Sequence, residues 1–153
     1  MLLSIHAATG ALIGQQTNNP VLAFILAFAS HFALDAIPHG DQDWIEDYKG
    51  DDKFRAKRII FLVALDAVIL LILLVSQFFY RSLTPTLNIA SGILGGILPD
   101  FLVGCHELSD KLFKNFYQLH FKMHDLIKAK QPSTMQGVVL QAVILGIILI
   151  YIF

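Results

Sequence analysis

Asn19-Pro-Val-Leu-Ala-Phe-Ile-Leu-Ala-Phe-Ala-Ser-His31-Phe-Ala-Leu-Asp35-Ala-Ile37 is the stretch on which the reading of this chain turns. It is apolar until its end, and a helix of about 20 apolar residues spans a hydrocarbon core of about 30 Å. His31 and Asp35 nevertheless stand four residues apart near that end, which puts them on one helical face. Ionisable groups within a membrane are costly and mark functional positions by default. One segment thus points both to a membrane helix and to a His/Asp site.

Neighbouring segments extend the pattern. Ile59–Phe79 carries one charge, Asp66; Thr86–Gly104 carries one, Asp100; Met135–Phe153 carries none. Leu2–Gly14 is shorter, roughly 20 Å at 1.5 Å per residue. A signal peptide is the competing reading for it, but no basic residue precedes it and no cleavage site follows. The expectation is an all-α integral membrane protein, a single domain over residues 1–153 with five apolar helices. Composition agrees: hydrophobic residues make up 56% and charged residues 15% of 153, against about 45–50% and 25% in soluble domains. The net charge of −1 gives no global attraction for nucleic acid. The single cysteine, Cys105, excludes an intramolecular disulfide and a Cys-based zinc site.

Basic residues set the orientation. Lys49, Lys53, Arg55, Lys57 and Arg58 lie between the second and third helices, and Lys111, Lys114, Lys122, Lys128 and Lys130 between the fourth and fifth. Only Arg81 falls on the other side of a five-span arrangement, and the positive-inside rule makes the basic side cytoplasmic. Trp44 and Tyr48 in the first long loop suit the headgroup region. In the second, Leu108, Leu112, Phe116, Leu119, Met123 and Ile127 recur with a helical period among lysines. That pattern predicts an amphipathic interfacial helix over His106–Lys128, followed by Pro132 and Ser133 at the start of the last span.

This topology, drawn from hydropathy and Lys/Arg alone, places all six histidines with Asp35, Asp66 and Asp100 on one side of the membrane. His6 lies near the cytoplasmic end of helix one, and Asp100 follows Pro99 at the end of helix four. His39 lies beyond Pro38, which ends helix two. His106, Asp110, His120 and His124 border the apolar face of the interfacial helix. Imidazole and carboxylate suit zinc, manganese or iron. Nine candidates exceed the needs of one tetrahedral ion, so one or two ions are expected, with the surplus groups orienting ligands. The candidate metal ligands are His6, His31, Asp35, His39, Asp100, His120 and His124; Asp66 is the candidate general base or orienting group.

Each piece also has a structural reading. His6 could serve a helix end, His31 with Asp35 an intramembrane hydrogen bond, and Pro99-Asp100 a helix end with its turn; interfacial helices often carry His at their borders. The stripes His6, Gly10, Gly14 and Gly92, Gly96 predict close helix packing that brings His6 and Asp100 to helix two.

Three patches carry a family resemblance. His6-Ala-Ala-Thr-Gly-Ala-Leu-Ile-Gly14, Ser30-His31-Phe-Ala-Leu-Asp35-Ala-Ile-Pro38-His39-Gly-Asp41 and Gly95-Gly-Ile-Leu-Pro99-Asp100 resemble bacterial membrane-bound metal-dependent hydrolases, which include inner-membrane hydrolases described as LexA-binding. The middle patch is also similar to the His-x3-Asp…Pro…His stretch of zinc-dependent phospholipase C, whose matching residues bind zinc. The resemblance thus implies zinc ligation by His31, Asp35 and His39. Two features of the hydrolase family are missing: its Pro-Asp-x-Asp is Pro99-Asp100-Phe101-Leu102 here, and its Thr-His-Ser motif is absent.

The function expected is hydrolysis of a phosphoester, with a lipid as one candidate substrate, by a metal site at the cytoplasmic face of the bacterial inner membrane. Substrate would arrive along the membrane plane, with lysines of the interfacial helix attracting anionic headgroups. The rival is a non-enzymatic metal-binding or adaptor membrane protein, and a third reading makes the histidines a packing network. A conventional pore is disfavoured because the fifth helix reads as wholly apolar. Nucleic acid is not an expected substrate.

Overall fold

The structure, a computed structural model, describes residues 1–40, 61, 64–72, 75, 86–109, 111–124, 126–127 and 132–152. Trp44, Tyr48, the basic residues 49–58, Arg81, Asp110, Lys128 and Lys130 lie outside the described residues, as do parts of the expected third span. Among the described residues the regular structure is helical throughout: α1 (Leu3–Gln16), α2 (Pro20–Asp35), a stretch over residues 64–72 (α3), α4 (Leu87–Leu108), α5 (Lys114–His124) and α6 (Thr134–Ile152).

Local chemistry explains the helix starts. Asn19 accepts hydrogen bonds from the Val21 and Leu22 N–H groups at 2.9 and 3.1 Å, and Pro20 occupies the first turn of α2, where its missing N–H costs nothing. Thr86 caps α4 by accepting from the Ile89 N–H at 3.3 Å. Before α6, the Gln136 side chain accepts from the Ser133 N–H at 3.0 Å and the Ser133 hydroxyl accepts from the Gln136 N–H at 3.5 Å, a reciprocal capping box. α1 has no such cap of its own. Its first N–H groups are satisfied from elsewhere: Leu3 and Ser4 donate to the Asp66 carboxylate of α3, and Leu2 donates to the Gln141 side chain of α6 at 2.8 Å.

Several sequence expectations are corrected. Among the described residues, only α4 (22 residues) and the Met135–Ile152 part of α6 (18 residues) are long and apolar enough to cross a membrane, fewer than the five spans expected. α1 has 14 residues and α2 has 16, which reach about 21 and 24 Å, short of a hydrocarbon core of about 30 Å. α4, expected over Thr86–Gly104, runs through Pro99 and on to Leu108, carrying His106 with it. Helices in apolar surroundings tolerate an internal proline because neighbouring groups re-satisfy the freed backbone. The helix expected over His106–Lys128 therefore starts only at Lys114, after a turn with Phe113 at φ 50°. In that turn the His106 Nδ1–H donates to the Leu112 carbonyl at 2.7 Å. Finally, the last helix is not wholly apolar, because Gln141 is buried in it.

α1, α2 and α4 each pack against the other two, α6 packs on α1, and α5 lies across α2 and α4. The glycine stripes set the spacing of α1 and α4. A Cβ on Gly10 would overlap the Gly92 carbonyl, and one on Gly96 would overlap the carbonyl of His6. Backbones in direct contact at these points bring the His6 turn beside α4. Ile5, Ala8 and Ala11 of α1, Ile89 of α4, and Ile148 and Ile152 of α6 form the apolar core. Large apolar side chains line the outside, among them Ile25 of α2, Leu94 and Phe101 of α4, and Val139 and Ile150 of α6. Exposed apolar side chains in such number suit contact with lipid.

Candidate metal centre

Asp35, on the last turn of α2 and 2% exposed, is the centre of the cluster. Its Oδ1 accepts from the Nε2–H of His6 at 3.1 Å and lies 2.9 Å from the Met1 amino group. Its Oδ2 faces three further imidazole nitrogens: Nε2 of His31 at 3.0 Å, of His124 at 3.2 Å and of His120 at 3.6 Å. Asp100, one turn below Gly96 on α4, approaches His31 Nε2 at 3.5 Å and His120 Nε2 at 4.0 Å.

The local sequence explains each placement. The i, i+4 spacing puts His31 above Asp35 on the buried face of α2. α1 supplies His6 because its glycines let that helix sink against α4, and the His6 ring stacks on the His31 ring with centroids 3.9 Å apart. α5 supplies His120 and His124, again four apart. It is seated by Phe116, whose ring lies 6.3 Å from Phe28 and 6.2 Å from Phe32 of α2. Pro38 ends α2, and the chain beyond it places His39 against His124, ring centroids 5.2 Å apart.

Hydrogen bonding fixes which nitrogens face inward. The Nδ1–H of His31 donates to the Gly96 carbonyl at 2.8 Å, and that of His39 donates to the Ile37 carbonyl at 2.6 Å. A carbonyl can only accept, so Nδ1 carries the hydrogen and Nε2 the lone pair in each neutral ring. Backbone carbonyls of this kind orient metal-ligating histidines in general. Burial pushes the His120 pKa down to about 4, which keeps that imidazole neutral and able to ligate near pH 7. Among the described residues, His31 Nε2 and Asp35 Oδ2 have no hydrogen-bond partner in the protein. Buried polar atoms are otherwise almost always satisfied.

The donors fall into two sets, each with its atoms within 4.8 Å of one another: His31, Asp35, Asp100 and His120; and Asp35, His39 and His124. This buried His/Asp cluster could hold a metal ion. Six of the seven sequence-predicted ligands are brought together in these sets. The seventh, His6, touches Asp35 but belongs to neither. Asp66 is buried at the N-terminus of α1 and is also in neither set.

Gln141 escaped the sequence reading. Its side chain donates to the His39 carbonyl at 3.2 Å while accepting from the Leu2 N–H. A single carboxamide midway along an apolar helix was the available signal, since such residues join helices in membranes. No protein-family model, curated protein or solved structure matches this chain.

Proposed function

We propose that this chain is an integral protein of the bacterial inner membrane that binds a divalent ion, zinc first among the candidates, in the Asp35 cluster and uses it to hydrolyse a phosphoester. One observation carries the reading: His31 Nε2 and Asp35 Oδ2 face each other at 3.0 Å, both buried and neither hydrogen-bonded. Two lone pairs so placed repel each other unless a cation lies between or beside them. Neutral imidazole and carboxylate are the zinc-binding side chains other than thiolate. The resemblance to membrane-bound metal-dependent hydrolases falls on the same residues, His31, Asp35, His39 and Asp100.

A bound divalent ion lowers the pKa of a coordinated water and stabilises negative charge on phosphoryl oxygens. The protein's own part is to hold the ligands rigid: Gly96 and Ile37 orient two histidines, and His6 fixes Asp35. Asp66 acts through α1, whose first turn it holds. Asp100 and His124 are the more exposed members of the cluster, with side chains 29% and 12% accessible, so substrate approaches along that edge. A lipid headgroup fits this access because apolar side chains of α4 and α5, Phe101 and Leu119 among them, are exposed as well. On the positive-inside reading this edge faces the cytoplasm.

The test is metal analysis of detergent-purified protein together with hydrolysis assays on phosphatidic acid, phosphatidylglycerol and p-nitrophenyl phosphate. Stoichiometric zinc with phosphate or headgroup release, both lost in His31→Ala/Asp35→Ala, is the expected result. Bound metal with no turnover of any of these substrates would favour the non-enzymatic metal-binding reading. The deep burial of His31 and Asp35 makes that the second choice.

A further inference from the structure

The donors of the cluster are too widely spread for one ion. Ligands bound to a single zinc at about 2.0–2.2 Å lie at most about 4.4 Å apart. The six donors here divide into two sets that have only Asp35 in common. The rings themselves run on in a row, His31 lying 5.3 Å from His120, His120 5.2 Å from His124 and His124 5.2 Å from His39, centroid to centroid, so the donor atoms and not the rings separate the two sets.

We infer that the cluster is a two-ion site bridged by Asp35, in which His31, Asp35, Asp100 and His120 retain a closed, structural ion while Asp35, His39 and His124 hold an exchangeable ion that meets the substrate. The inference rests on the metal-hydrolase reading above and assigns the working position within it. Ligand count is the first argument. Four protein ligands complete a tetrahedral zinc and leave no place for substrate, whereas three leave one coordination position open. Both sets reach the exposed edge, the first through Asp100 and the second through His124, so ligand number rather than burial separates them.

Charge is the second argument. The four-residue set brings two carboxylates to its ion, and the three-residue set has only a share of Asp35. The scaffolds differ too. The donors of the larger set all stand on helices, and His31 is oriented by the Gly96 carbonyl of a second helix. His39 instead follows Pro38 on a non-helical segment whose next residue, Gly40, has φ 72°. The carbonyl of His39 packs against Gly137, and the Gln141 side chain donates to it. These contacts, with the Ile37 carbonyl, fix the ring of His39, so weaker charge and the smaller number of ligands are what favour release of the second ion first.

The experiment is chelator-driven zinc release from the wild-type full chain in detergent, followed with a chromogenic zinc indicator, beside total zinc by elemental mass spectrometry. Two equivalents leaving in two phases of equal amplitude is the expected result. A single equivalent at saturating zinc, or a single phase, overturns the inference. His39→Gln/His124→Gln removes two donors from the second set alone. It should lose the fast phase and all hydrolysis while keeping the slow equivalent. Loss of both equivalents from a variant that still elutes as a monodisperse species would also overturn the division. The two readings fail separately: two-phase release without hydrolysis by the wild type removes the hydrolase reading, whereas hydrolysis with a single equivalent removes the two-ion one.

Discussion

His31 Nε2 and Asp35 Oδ2 meet at 3.0 Å as two acceptors, because the Nδ1–H of His31 is committed to the Gly96 carbonyl. A bound cation turns that contact from repulsive to attractive, so metal removal should destabilise the fold. A ligand present at a thousand times its Kd stabilises the folded state by about 4 kcal/mol. Chelation should therefore lower the melting temperature of the wild type by several degrees. Asp35→Asn replaces one acceptor with an amide that can donate to His31 Nε2. Its melting temperature should be insensitive to chelator, with zinc content reduced. Thermal unfolding in detergent with and without chelator checks both, and an unchanged wild-type melting temperature would mean that a proton, not a metal, bridges the pair.

The Gln141 side chain links α6 to the backbone of His39 and to the start of α1. Gln141→Leu keeps the apolar packing but leaves the buried His39 carbonyl and the partly buried Leu2 N–H without these partners. Hydrogen bonds of this kind between membrane helices average about 0.6 kcal/mol, so global stability should fall by only about 1 kcal/mol. Metal binding should suffer more, through His39, and zinc affinity should drop while secondary structure is retained. Gln141→Glu keeps the acceptor for Leu2 but loses the donor for His39. If the His39 contact is the one that matters, it should resemble the leucine variant in zinc affinity. Isothermal titration with zinc separates these outcomes.

Close contact of Gly10 with Gly92 sets how deeply α1 sits against α4. Gly10→Leu must push the two helices apart, because the obstructing atoms are backbone. Overpacking of this sort costs about 1–3 kcal/mol. It should also withdraw His6 from Asp35 and reduce zinc affinity, although Gly10 touches no ligand. Gly146, where an added Cβ meets nothing within 4 Å, provides the control: Gly146→Leu should leave stability and zinc binding unchanged.

Much of the site was legible in the sequence because charge inside an apolar segment is conspicuous. His31, Asp35 and Asp100 stand out for that reason, and the glycine stripes foretold that His6 and Asp100 would approach α2. Other features were less legible for physical reasons. His120 and His124 read locally as polar residues at the border of a surface helix. Only the docking of Phe116 between Phe28 and Phe32, a contact distant in sequence, carries them to Asp35. Gln141 is uncharged and did not interrupt the hydropathy of its helix. The fourth helix was expected to stop at Gly104, whereas α4 reaches Leu108, because glycine and the polar residues after it lower hydropathy without breaking the helix. Among the described residues, hydropathy counted α1 and α2 as spans because they are apolar, yet both bury faces against the other helices and fall short of membrane length.

Asp66 was a candidate base, and its carboxylate accepts from the Leu3 and Ser4 N–H groups. Asn at this position retains one acceptor oxygen but cannot take up a proton at neutral pH. If Asp66 serves α1 alone, Asp66→Asn should cost about 1 kcal/mol, in the range of a lost cap interaction, and leave the pH profile of any hydrolysis unshifted. A changed pH profile with stability intact would instead assign it a proton-transfer role.

Seating of α5 is the remaining dependence of the centre. Phe116 lies against both Phe28 and Phe32, and the same helix carries His120 and His124 to within 3.6 and 3.2 Å of Asp35 Oδ2. The outer side of α5 is exposed, with Leu119 and Lys122 on it, so few other contacts hold the helix down. Phe116→Ala should therefore loosen α5 without unfolding α1, α2 and α4, whose mutual packing does not involve it. Truncation of a well-packed phenylalanine costs about 3 kcal/mol or more, and one only partly buried should cost less. Hydrogen exchange across residues 114–124 should accelerate, and more so in the chelated protein than with zinc bound, because two imidazole ligands then tie α5 to Asp35. Equal exchange with and without zinc in this variant would show that His120 and His124 do not ligate.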